Sequence, residues 1–444
     1  MNRMLAAVLA ASLTGTAMAQ DVPPGSGRVT FIQAGTLLDR PGERPRGPST
    51  VIVRGGKIAE IRDGFVAPEA GAALVDLRDR FVLPGLIDMH VHLLGIGGDP
   101  VRSRMTALNT EPADDVLYGV GNARATLMAG FTTVRDLGGD PRGIRALRDA
   151  IDRGDVTGPT IVNAGTAISV TGGHGDPTNG LAEPFAHAVA ELYDNTCNGP
   201  DDCRRATRRQ IGLGAQVVKI TATGGVLSNV SGGLGRAFTP QEMLAIVETA
   251  HDLGRKVAAH SHAADGTKAA LVAGVDSIEH GSFLDDEAVA LLKKTGAYLV
   301  PTEIAPVAAL AQARAGQLPP ATIPKAEAAA AAMVTSHRKA YQAGVKFAFG
   351  TDSGVSKHGI NAQEFALLVD KVGMTPAQAI RTATVAAADL LGQSDRIGTL
   401  APGKAADLIA VAGSPLDDVR RLEAVEFVMH GGTIVRQRGA APIE

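Results

Sequence analysis

From Val29 onward the chain alternates apolar and polar residues with the period of two that marks a strand with one buried face. Val29–Leu38 is one such run. Val51–Ile61 is another, broken by Gly55-Gly56, a pair suited to a two-residue hairpin turn. Ala72–Leu83 adds a further extended stretch. The pattern returns near the other end in Ala406–Ala412 and Val425–Arg436, where Gly431-Gly432 again supplies a turn. Two distant segments of matching character predict one small β domain, a β-sandwich built from residues 28–83 and 396–440.

Between them, residues 84–395 alternate short apolar runs with longer helical stretches, the pattern of a parallel sheet. The strand candidates are Leu86–Leu93, Thr132–Leu137, Thr160–Gly165, Gln216–Ile220, Lys256–Ser261, Asp276–Gly281, Ala297–Thr302 and Lys346–Thr351. Eight is the number that closes a (β/α)8 TIM barrel, so the fold class read here is α/β. Thr239-Pro240 predicts the start of a helix over Gln241–Leu253. The Ala-rich Lys325–Gly344 run predicts an ordinary outer helix, since Ala has the highest helix propensity and Gly344 stops it.

Composition narrows the partners. With 43 basic against 46 acidic side chains and a net charge of −3, nothing gathers phosphates by counterion release, so nucleic acid is not an expected partner. Residues 1–19 read as an export signal: Arg3, an apolar Leu5–Leu13 stretch, then Ala17-Met18-Ala19 before Gln20. Cleavage after Ala19 places the protein in the periplasm or outside the cell, and no later run is long enough for a membrane span. In an oxidising compartment Cys197 and Cys203, separated by a Gly199-Pro200 turn, are a candidate disulfide, with two free thiols as the alternative.

Chemistry concentrates at strand ends. His90 and His92 in Leu86-Ile87-Asp88-Met89-His90-Val91-His92 lie two apart and therefore point to one face, as two ligands of one metal would. Lys219, His260 and His280 end three further strands, and Asp352 follows the eighth. An apolar run that delivers an ionisable residue to the C-terminal mouth of a barrel delivers it to where such enzymes do chemistry. His174 follows the third strand in a Gly-rich segment, and His262 lies two residues beyond His260. Each of these two can contact substrate, or be a structural histidine bonded to backbone. The glycine-rich 224–235 stretch lacks the Gly-Lys-Ser/Thr ending of a phosphate loop and reads as a loop over the mouth. Arg204-Arg205 and Arg208-Arg209 read as a solvated or subunit-contact helix face.

The Pro84-Gly85-Leu86-Ile87-Asp88-Met89-His90-Val91-His92, Ile278-Glu279-His280-Gly281 and Gly350-Thr351-Asp352-Ser353-Gly354 motifs together resemble the amidohydrolase superfamily, in its imidazolonepropionase-like and metal-dependent dipeptidase branch. The likeness runs to Pro402–Leu408. It implies two divalent metal ions, of which Zn2+ suits the imidazole and carboxylate donors. His90, His92 and Asp352 would hold one and His260 and His280 the other, with Lys219, carboxylated on Nζ, as the bridge. Asp352 would also be the general base, with His174 and His262 as substrate-contacting catalytic residues. Proline dipeptidases have a tyrosine at the position of His262, a departure that argues against proline specificity here.

These residues imply a binuclear amidohydrolase in which a metal-bridged hydroxide attacks the amide of a dipeptide or N-acyl amino acid, ochratoxin-type amides included. Cyclic amide opening, as by imidazolonepropionase, is the alternative within enzymes, and Lys219 weighs against it. A non-catalytic periplasmic binding protein is the alternative outside them. Relatives of this kind form homo-oligomers, commonly octamers.

Overall fold

Both glycine pairs turn the chain back on itself. The computed structural model describes residues 29–107, 109–179, 181–228, 233–318 and 323–437, so the export-signal segment lies outside the described residues. In it, β2 (Ser49–Arg54) and β3 (Lys57–Asp63) flank Gly55 and Gly56, whose φ values of 55° and 74° suit the right-handed twist of a hairpin. β14 (Phe427–His430) and β15 (Thr433–Gln437) flank Gly431 and Gly432 in the same way. With β1 (Thr30–Leu37), β4 (Ala73–Pro84) and β13 (Leu408–Val411) these strands join in the order β15-β14-β13-β4-β1-β2-β3. The two chain ends therefore do meet in one β unit. Its hydrogen bonds draw a single seven-stranded sheet where the sequence reading expects a sandwich, because β4 runs on to pair with both β1 and β13.

The remaining strands carry the site. β5 (Leu86–Val91), β6 (Phe131–Asp136) and β7 (Thr160–Asn163) form one parallel ladder. β8 (Val217–Thr221), β9 (Lys256–Ala263), β10 (Ser277–Phe283), β11 (Tyr298–Val300) and β12 (Lys346–Phe347) form another. Backbone bonds cross both seams. Gln216 N donates to Asn163 O at 2.7 Å and Ile168 pairs with Ile220, while Met89 N donates to Phe349 O at 2.9 Å and Val91 pairs with Ser353. Eight strands in sequence order thus close into a ring, the (β/α)8 arrangement. Every residue of β5, β6 and β8 is buried, as parallel strands covered on both faces require.

Helices cover the ring, and their starts follow local chemistry. Thr239 caps the Pro240–Asp252 helix: its hydroxyl accepts from Glu242 N while Glu242 Oε2 accepts from Thr239 N, a reciprocal cap worth about 1 kcal/mol. The Ala-rich run is an ordered helix, Ile323–Gln342, that buries the stripe Ala326, Ala329, Met333, His337 and Ala340. Arg204, Arg205 and Arg209 of the Pro200–Gly212 helix pair with Asp201, Asp202 and Asp194, a solvated face. Cys197 and Cys203 are joined by a disulfide, both fully buried. Among the described residues no helix is long and apolar enough to cross a membrane.

Candidate active site

Six imidazoles meet at the C-terminal mouth of the ring. The rings of His90 and His92 lie 5.4 Å apart at the end of β5. His280, on β10, is 5.1 Å from His90 and 4.7 Å from His260 on β9. His262 is 4.7 Å from His260 and stacks on His280 at 5.0 Å. His174, in the loop beyond β7, is 4.3 Å from His260. Lys219 of β8 and Asp352, beyond β12, complete the set. Every residue that the sequence reading places in the site lines one cavity of about 470 Å3, and Val226 and Leu227 of the glycine-rich loop line it as well.

A partner lies within reach of Nδ1 in four of the six rings. His92 Nδ1 is 3.0 Å from Gly138 O, His280 Nδ1 2.8 Å from Thr302 Oγ1, and His262 Nδ1 2.7 Å from Ser282 Oγ. His90 Nδ1 lies 3.0 Å from Glu279 Oε2. Partners of this kind set the tautomer and aim the opposite nitrogen at a metal. The Nε2 atoms of His90 and His92 then face Asp352 Oδ1 at 3.5 and 3.2 Å. One ligand atom from each of His90, His92 and Asp352 falls within 4.8 Å of the others, a donor cluster fit for a divalent ion.

Electrostatics divide the rings: burial lowers His92, but Asp352 outweighs it and shifts the ring upward, whereas His90 and His174 are shifted down. Burial, with the charge of Lys219 adding to it, lowers His90 and His174 to about 4, which keeps these rings neutral at pH 7, the form that binds metal. Burial also pushes Lys219 down to about 8, against the pull of Glu279 and Asp352, and so favours the free amine that a carboxylated lysine must start from. The backbone is strained at the same places. His280, Thr302 and Asp352 take φ of 70°, 53° and 56°, a region L residues avoid and structures tolerate mostly where function requires it.

Residues 81–436 match the amidohydrolase family. The chain belongs to that family. This amidohydrolase is 34% identical over 440 positions to ochratoxinase of Aspergillus niger, an alignment covering 94% of this chain and 88% of that enzyme. It superimposes with a TM-score of 0.85 on the crystal structure of a Xaa-Pro dipeptidase with methionine bound in its active site, at 39% identity, covering 92% of this chain and 100% of the other. A prolidase complexed with N-methylphosphonate-L-proline gives 0.83 at 30% identity, with 92% and 100% covered. The amidohydrolase is thus a hydrolase of amide or peptide bonds, of a family that is typically metal-dependent.

Several further residues shape the site. Arg135 is fully buried; its Nη2 donates to Glu279 Oε1 at 2.8 Å and its Nε to Met89 O at 2.7 Å. Asp88 spans the β5 and β12 seam of the amidohydrolase, accepting from His90 N and Thr351 N, both at 3.1 Å, and from Asn361 Nδ2 at 2.8 Å. His337 Nε2 donates to the His280 carbonyl at 2.5 Å while its Nδ1 meets Glu303 Oε1 at 2.7 Å. Asp88 and Glu279 stand inside the quoted motifs, where their proximity to ligands is the only sequence clue. His358 holds the His92 carbonyl through Nε2 at 3.0 Å, a structural placement.

Proposed function

We propose that the protein is a binuclear metal amidohydrolase that cleaves the amide of a dipeptide or an N-acyl amino acid. The observation that carries this reading is the convergence of His90, His92, Lys219, His260, His280 and Asp352, from five different strand ends, on one cavity. The donor set fits: four imidazoles, of which His90, His92 and His280 have a partner at Nδ1, a carboxylate, and a buried lysine. His90, His92 and Asp352 would hold one ion, His260 and His280 a second, and carboxylated Lys219 both. Zinc matches these donors, and when bound the pair of ions supplies a hydroxide nucleophile and polarises the scissile carbonyl.

The side chains divide the remaining work. Asp352 takes the proton of the attacking water at its carboxylate and returns it to the leaving nitrogen, so that the amine departs neutral. His174 and His262, neutral and facing the same cavity, offer N–H groups to the carbonyl oxygen as it gains charge, or to a carboxylate of the substrate. The buried Cys197–Cys203 disulfide supports export to an oxidising compartment, the periplasm or beyond. Assembly into a homo-oligomer, of octamer size by the family likeness, belongs to the same reading.

Lys219→Ala tests the centre. Purified wild type is expected to hold two divalent ions per chain by elemental analysis and to turn over members of an X-Pro, X-Arg, X-Phe and N-acyl amino acid library. The variant is expected to lose turnover and most of the metal. A metal-loaded, fully active Lys219→Ala protein overturns the mechanism, and one ion per chain in the wild type favours cyclic amide opening.

A further inference from the structure

The cavity is divided by charge. Among its described lining residues every ionisable group belongs to the floor: the six histidines, Lys219 and Asp352. The outer wall is made by the Ile304–Arg314 helix, the Ile323–Gln342 helix and the 226–227 loop, and the residues they present include Ala309, Ala326, Ala329, Met333 and Leu227, with one uncharged polar side chain, Gln312, whose Nε2 donates to Val355 O at 2.8 Å. We propose that the arm of the substrate turned away from the scissile amide is neutral, apolar and bulky, and that Ala309, Ala326, Ala329 and Met333 set its size. The proposal rests on amide hydrolysis at this mouth and names the class of amide.

Three observations carry it. First, a charged arm seated against this wall would lose its hydration and meet no counter-charge, a cost that the apolar lining cannot offset. Second, the polar end of the cavity is elsewhere. His174 Nδ1 is buried without a hydrogen-bond partner, so a carbonyl or carboxylate of the substrate finds its donor beside the floor and leaves the wall to the other arm. Third, the wall is preformed and fixed relative to the reacting centre. Ser336 Oγ donates to Ser282 O at 2.8 Å and accepts from Leu284 N at 3.1 Å, and His337 holds the His280 carbonyl. These bonds bolt the 323–342 helix to the end of β10, the strand that carries His280. A wall so held cannot retreat to admit a larger group. The alanines therefore leave space that a bulky arm fills, and a larger side chain at Ala329 removes it.

Two substrate series test this on the metal-loaded enzyme. In one, phenylalanine is fixed and the acyl group runs through acetyl, hexanoyl, benzoyl, naphthoyl, succinyl and 6-aminohexanoyl. In the other, benzoyl is fixed and the amino acid runs through glycine, alanine, leucine, phenylalanine, glutamate and lysine. In one of the two series kcat/KM is expected to rise roughly tenfold or more with apolar size and to fall by a similar factor for the charged arms. Ala329→Phe should collapse the ratio between large and small arms in that series, and Met333→Ala should move the limit upward. Because each ratio is taken within one preparation, a partly folded variant still gives a reading. Equal rates across both series, or charged arms cleaved as well as apolar ones, overturn the proposal. Calorimetric binding of the free acids hexanoate, 2-naphthoate and succinate separates it from the hydrolase reading. Preferential binding of naphthoate with no amide hydrolysed would remove the activity and leave the wall; hydrolysis without apolar preference would remove the wall and leave the activity.

Discussion

Glu279 holds His90 from beneath the site: its Oε2 is 3.0 Å from His90 Nδ1 while its other oxygen accepts from Arg135 Nη2 at 2.8 Å and from Ser277 Oγ at 2.6 Å. All three charged or imidazole groups are buried. Burial alone would raise the Glu279 carboxyl, but the Arg135 charge and the His90 contact outweigh it and bring it down to about 2. A permanently ionised carboxylate is therefore fixed behind a metal-ligand candidate, the arrangement that raises ligand basicity and fixes ring orientation.

Glu279→Gln keeps the shape and removes that charge, leaving the Arg135 guanidinium uncompensated. Breaking a buried pair in this way costs about 3–5 kcal/mol, and losing an outer partner of a ligand weakens metal binding about 10–100-fold. Chemical denaturation and metal titration check both. The double change Arg135→Met with Glu279→Leu should recover stability but not metal affinity. Recovery of both would reduce the pair to a packing role.

Gly225 lets His174 into the site. A methyl group on Gly225 would fall 2.3–2.7 Å from three atoms of the His174 ring, so Gly225→Ala must displace the imidazole from its place in the cavity. Turnover is expected to drop about 100-fold, the scale of one lost transition-state donor, while metal content holds. Loss of metal together with activity would show instead that His174 supports the ligand cluster.

The Cys197–Cys203 bond secures the segment that carries His174. Cys197 N donates to Ser169 O at 2.8 Å, and Asn195 Nδ2 reaches both Ala167 O and Gly175 O, at 2.7 and 2.8 Å. Closing so short a loop stabilises the chain by about 2 kcal/mol. Cys197→Ala with Cys203→Ala should lower the unfolding free energy by that amount, and reductant should reproduce the change in the wild type. An unaltered denaturation midpoint in both experiments would contradict this.

His430 gives stability a pH dependence away from the site. Its Nδ1 is 3.0 Å from Asp407 Oδ1, where the small sheet meets the ring near Thr160. Burial lowers its pKa, but the charge and hydrogen bond of Asp407 raise it further, for a net upward shift. A raised folded pKa contributes stability that is fully present below the ordinary value near 6.5 and is lost as pH rises through the folded value. Wild type minus His430→Gln stability should therefore shrink from pH 6 toward pH 9 in denaturant titrations. A difference that grows with pH would reverse the assignment.

Much of this was legible along the chain because it is written locally. Period-two alternation marked the strands of the split β unit, and the Gly55-Gly56 and Gly431-Gly432 turns need only their own backbone. His90, His92, Lys219, His260, His280 and Asp352 stood out because an ionisable residue after an apolar run is conspicuous within a few positions. Less local features were misjudged or missed. The expected sandwich is a single hydrogen-bonded sheet, since strand order depends on which distant segment β4 meets. Ala326, Ala329 and Met333 read only as good helix formers, because helix propensity says nothing about which face will line a cavity.

The sequence by itself therefore determined the element types, the count of ring strands and the ionisable residues at their ends, since each depends on neighbours a few positions away. Only the tertiary structure decided that Arg135 meets Glu279 across 144 residues, that Gly225 packs on His174, and that His337 pins the carbonyl of His280. Those contacts arise when the ring closes and buries polar groups together. Each must then find a partner among whatever the closure brings near, and no local pattern encodes that choice.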